Sequence, residues 1–168
     1  MWQYRWWTWL ILPLVALVVE TSLLSHLFPP DALPNLVLVV VVALAFFETP
    51  RRALILGALA GLLVDVDAGR LIGLNMALFA TAGWVVGVLQ ARIVRDEIFV
   101  PGFIGALVQA GVRIVTWGLL LGLGLAFPLS ELASVLPVDI LFGLFMTPGV
   151  IGILRLKPRH LVDQRFKF

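Results

Sequence analysis

Four ionisable side chains interrupt otherwise apolar stretches of this 168-residue chain: Glu20, Asp65, Arg113 and Asp139. Three carboxylates and one guanidinium in greasy surroundings suit a short list of chemistries. Two aspartates could share one proton and hydrolyse a peptide bond. A string of acids could pass protons or ions. An arginine could simply neutralise one or more acids in a buried network. Each option depends on which elements carry these residues and at what depth.

The hydrolytic option is the weakest. Asp65 follows Leu62-Leu63-Val64 and not the glycine-containing sequence of intramembrane aspartyl proteases. No G-x-x-x-x-G-K-[ST], H-E-x-x-H or G-x-S-x-G occurs anywhere in the chain, so nucleophile-plus-base and phosphate-loop chemistry have no support. With no cysteine, thiolate catalysis and thiolate metal ligation are excluded. His26 stands alone beside Pro29 and Pro30, which does not make a metal site. The expected reading is a non-enzyme with no catalytic residue, metal or cofactor.

The elements that hold these charges are long apolar runs. Hydrophobic residues make up 61% of the chain and charged residues 13%, with a mean hydropathy of +1.07. A soluble domain needs a surface of roughly 25–35% charged residues. A helix crossing the hydrocarbon core needs roughly 20 mainly apolar residues. Six segments approach that length: 6–27, 33–47, 52–66, 71–89, 99–127 and 135–154. The expected class is all-α, a single polytopic membrane domain of six transmembrane helices followed by a basic tail, 155–168. The second and third runs are separated by Pro50 with Arg51 and Arg52, because proline disfavours helix before it and guanidinium groups are costly in lipid. Asp65-Val66-Asp67-Ala68-Gly69-Arg70 reads as the next turn.

Basic residues set the orientation. Six crossings put Arg5, Arg51, Arg52, Arg92, Arg95, Arg155, Lys157, Arg159, Arg165 and Lys167 on one side and Arg70 alone on the other, with Arg113 inside a run. The positive-inside bias makes the first side cytoplasmic, so both termini are expected there. Basicity therefore reports topology and not nucleic-acid binding. Trp2, Tyr4, Trp6, Trp7 and Trp9 crowd the first turns, where such rings anchor at the headgroup level. The tail's Arg155, Lys157, Arg159, Arg165 and Lys167 serve topology or anionic lipid, which attracts about 1 kcal/mol per charge. Contact with a cytoplasmic protein is a further reading of the same residues.

Depth then groups the charges. Glu20 and Arg113 each lie 14 residues into their runs, roughly 21 Å from the cytoplasmic edge, and Asp65 roughly 20 Å. Asp139 enters its run from the far side by about 6 Å. All four are expected in the outer half of the bundle, with Arg113 the cation of a network to Glu20, Asp139 or Asp65, assisted by Gln109 or Asn75. The competing readings are separate snorkelling to the outer interface and a proton or transport path.

Small residues recur at helical spacing: Ala53, Gly57 and Gly61; Gly83 and Gly87; Gly118 and Gly122. Such faces let backbones approach in lipid. They serve packing within the chain or the docking of a partner's helix.

Pro34-Asn35-Leu36, then Gly57-Ala58-Leu59-Ala60-Gly61-Leu62-Leu63-Val64-Asp65, then Leu71-Ile72-Gly73-Leu74-Asn75 occur in an order and spacing that resembles the rod shape-determining protein MreD family, across essentially the whole chain. Families of this type usually carry an acid after the proline, where Asn35 stands. The resemblance implies a non-enzymatic membrane scaffold of the bacterial cell-elongation and peptidoglycan-synthesis complex. It would bind the single-span protein MreC and help couple cytoplasmic MreB filaments to RodA and penicillin-binding protein 2. The family also looks like the S-components of vitamin transporters, which share a six-helix architecture. A small-molecule binding or transport subunit is therefore the alternative, with Asn75, Gln109, Arg113 and Glu20 as possible cavity lining.

Overall fold

The computed structural model describes residues 6–24, 26, 34–69, 73–90, 99–124 and 129–156. Among them the chain is all-helical. The elements are α1 (Trp6–Val19), continued by a π-helical turn (Glu20–Leu24), α2 (Leu36–Ala45), α3 (Pro50–Ala68), α4 (Leu74–Gln90), α5 (Phe99–Gly122) and α6 (Leu129–Leu156).

Local chemistry explains where the helices begin and end. Asn35 caps α2, its side-chain oxygen accepting from the Leu38 amide at 2.9 Å. Only ten residues follow before the chain turns at Phe46 and Phe47, so the helix is about 15 Å long. The 33–47 run predicts a longer helix, but Pro34 and Asn35 stay outside it, with Asn35 in an extended conformation as its entry. α3 starts with Pro50 at its first turn, where the missing N–H costs nothing. It stops at Gly69, whose φ of 60° is the left-handed conformation that lets its amide reach the Asp65 carbonyl at 3.1 Å.

The ten-residue α2 is the centre of the fold. Nine of its residues, Val37 to Ala45, are buried, and it packs against α1, α3, α4, α5 and α6. A helix that is apolar all round is a buried one. Its valine-rich sequence, Leu36-Val-Leu-Val-Val-Val-Val-Ala-Leu-Ala, has only modest helix propensity, so tertiary enclosure holds it. The tightest pairs around it are the hairpins α3–α4 and α5–α6.

The outside of the bundle is apolar. Leu23, Val66, Phe103, Phe145 and Ile153 are each 60% exposed or more. Among the described residues two stretches, Val100–Gly122 and Leu132–Leu154, are long and apolar enough to cross a membrane. Ile11–Leu23, Leu36–Ala45 and Leu74–Gln90 are apolar but shorter, and α3 carries Arg51, Arg52, Asp65 and Asp67.

Candidate functional site

The polar residues cluster where helices begin. Three backbone amides at the head of α4 converge on the Asp65 carboxylate: Gly73 at 2.8 Å, Asn75 at 3.0 Å and Met76 at 3.0 Å. Gly73 directly precedes Leu74 and has no side chain to cap the helix, so the cap comes from Asp65 near the end of the preceding helix. An anion at a helix N-terminus satisfies orphan donors and complements the helix dipole. Asp65 is 2% exposed, so these bonds are its solvation.

Glu20 treats α2 in the same way. The π-helical turn that begins at Glu20 brings its Oε2 to 3.2 Å from the Val37 amide, beside the amide already taken by Asn35. Gln109 on α5 donates from Nε2 to the Asn35 carbonyl at 2.8 Å. The head of α2 is thus tied to α1 by Glu20 and to α5 by Gln109.

Arg113 and Asp139 form the third constellation. Nε donates to Oδ2 at 2.6 Å and Nη2 to Oδ1 at 3.2 Å, a two-pronged pair joining α5 to α6. Asp139 is 1% exposed and the Arg113 side chain 30%. Of the four charges, Arg113 pairs with Asp139, while Asp65 and Glu20 accept from amides at the heads of α4 and α2. Asp65 turns to the amides of α4 because that helix start lies beside it, Gln109 serves Asn35, and Asn75 contributes its backbone N–H to Asp65.

A further polar knot lies at the other end of α2. Gln90, the last residue of α4, donates to the Glu48 carbonyl at 2.9 Å, and the buried Glu48 carboxylate lies 3.6 Å from Arg52. The Glu48-x-x-x-Arg52 spacing is the only sequence signal for this knot.

Glycines place the backbones. A Cβ at Gly57 would strike the Phe79 carbonyl, one at Gly61 the Asn75 carbonyl and one at Gly83 the Ala53 carbonyl, while at Gly87 it would lie 2.8 Å from the Pro50 Cα. Ala53, Gly57, Gly61, Gly83 and Gly87 are therefore the two sides of the α3–α4 contact. Gly118 and Gly122 differ, with nothing near them and both exposed. α5 instead meets α6 through Gly102 and Gly105, against the Leu144 carbonyl, Gly143 and Thr147. Gly143-x-x-x-Thr147 is a small-residue signal that marks this contact in the sequence. Thr147 Oγ1 is buried there without a hydrogen-bond partner among the described residues. Of the basic tail, Lys157, Arg159, Arg165 and Lys167 lie outside the described residues, as does the Arg155 side chain.

The family model for rod shape-determining protein MreD matches residues 2–155 of the 168-residue chain. The chain belongs to the MreD family. No curated protein and no solved structure matches it. MreD proteins are membrane-associated and take part in rod shape determination. The match spans α1 to α6, so every polar constellation above lies within the MreD region. No group of three or more His, Asp or Glu side chains suited to a metal occurs among the described residues.

Proposed function

We propose that this MreD-family chain is a non-enzymatic scaffold in the bacterial cell-elongation complex. It crosses the inner membrane six times with both termini in the cytoplasm. It binds the single-span protein MreC, and through that contact links MreB filaments to RodA and penicillin-binding protein 2.

The observation that carries this reading is the way the interior is closed. Glu20, Asp65 and Asp139 are each answered by donors of the chain itself, and α2 fills the centre of the bundle. A transporter keeps substrate-directed polar groups at mid-membrane. Here the same residue types serve helix ends and one ion pair, which weighs against the small-molecule reading. The apolar outer surface supports residence in lipid, since contiguous exposed apolar area marks membrane or partner contact.

Co-expression with MreC and purification in mild detergent tests the proposal. Stoichiometric recovery of MreC with the full chain supports the scaffold. Recovery of the chain without MreC, but with a retained small molecule, would replace it with the binding-subunit reading.

A further inference from the structure

The two hairpins are built differently from the surface that joins them. Within α3–α4, Gly57 and Gly61 rest on α4 carbonyls and Gly83 rests on an α3 carbonyl, so the backbones are locked in one register. Asp65 adds three hydrogen bonds across the same hairpin. Within α5–α6, Gly102, Gly105 and Gly143 give backbone contact, and Arg113–Asp139 pins the pair. Shifting either hairpin internally would drive backbone into backbone and break charge-assisted bonds.

Between the hairpins lies α2, which presents aliphatic side chains in every direction. Where Gly83 meets it, the Cβ position lies an ordinary 3.7 Å from the Val41 side chain. α4 and α5 touch each other only slightly. In lipid no water exclusion presses helices together, so surfaces without interlocking backbones or polar bonds resist sliding least. Polar bonds reach only the ends of α2 among the described residues, Gln109 of the second hairpin binding the Asn35 carbonyl at its head and Gln90 of the first binding the Glu48 carbonyl beyond its tail.

We propose that the chain moves as two stiff hairpins, α3–α4 and α5–α6, which shear across α2, with the Gln109–Asn35 hydrogen bond setting their register. Small sliding of packed helices is an established mode of switching, and it needs stiff units with a low-friction boundary. Both are present here. The inference rests on the packing alone and stands whether or not MreC is the partner.

The chain has no cysteine, so spin labels can be placed in pairs without background. The exposed positions Leu59 and Trp84 report within the first hairpin, Phe103 and Phe145 within the second, and Trp84 with Phe145 between them. In the full chain in lipid nanodiscs, pulsed electron resonance should give a broader distance distribution for the third pair than for the first two. Gln109→Leu should broaden or shift the third pair alone. Equal widths for all three pairs overturn the proposal. So does Gln109→Leu if it leaves the third pair unchanged, or loosens all three together.

Discussion

Arg113 and Asp139 face each other across the α5–α6 hairpin through two hydrogen bonds, with the aspartate fully enclosed and the arginine partly open. The enclosed partner is the vulnerable one. Removing the arginine leaves a carboxylate that is 1% exposed without the two hydrogen bonds that answer it.

Arg113→Ala should therefore lower stability by about 3–5 kcal/mol, the usual cost of orphaning one member of a buried pair. The double variant Arg113→Ala/Asp139→Ala should recover much of that loss. Thermal unfolding in detergent, alongside the amount accumulating in membranes, measures both. Equal melting of Arg113→Ala and the parent would remove the pair from any structural account.

Asp65→Ala should harm the fold more than Asp65→Asn. Alanine strands three amides at the head of α4, each worth about 1–3 kcal/mol when buried and unanswered, whereas asparagine keeps one acceptor oxygen. Protease resistance of the purified variants ranks them. Equal damage from the two variants would mean that the negative charge, lost in both, is what matters and not the capping geometry.

Glycine substitutions should divide by position. Gly57→Val and Gly105→Val force a side chain into an opposing carbonyl or threonine, and overpacking of this kind costs about 1–3 kcal/mol. Gly118→Ala and Gly122→Ala meet nothing and should leave melting unchanged. If the latter pair nonetheless abolished MreC recovery while stability held, that stripe would be a partner contact.

The proposed topology is testable for the same reason that labelling is simple. Cysteines placed at Asp31 and Ser130 should react with a membrane-impermeant maleimide added from the periplasmic side, and one at Arg92 should not. Labelling of all three in sealed cells would defeat the six-span arrangement.

Much of the architecture is legible in the run lengths, because an apolar stretch of that length has few conformational options other than helix. Depth arithmetic brings Arg113 near three acids but does not choose among them. The choice depends on helix starts, and Asp65 goes to α4 because Gly73, directly before that helix, has no capping side chain. The brevity of α2 is hidden for a related reason. Its apolar run continues beyond the helix on both sides, and only the cap at Asn35 and the turn at Phe46 cut it short. Gly118 and Gly122 have the same spacing as Gly83 and Gly87. Spacing reveals a face, but the neighbour beneath it comes from the tertiary arrangement.

The enclosure of α2 has a consequence for biogenesis. This segment leaves the ribosome second, yet four of the five helices that shelter it have not been synthesised or have yet to pair when it emerges. Its valine run has only modest helix propensity of its own and lacks, at that point, the neighbours that hold it. The nascent chain must therefore be held, by the insertion machinery or by the bilayer itself, until its later half arrives. Truncation anywhere before α6 would leave an aggregation-prone intermediate in place of a smaller folded one.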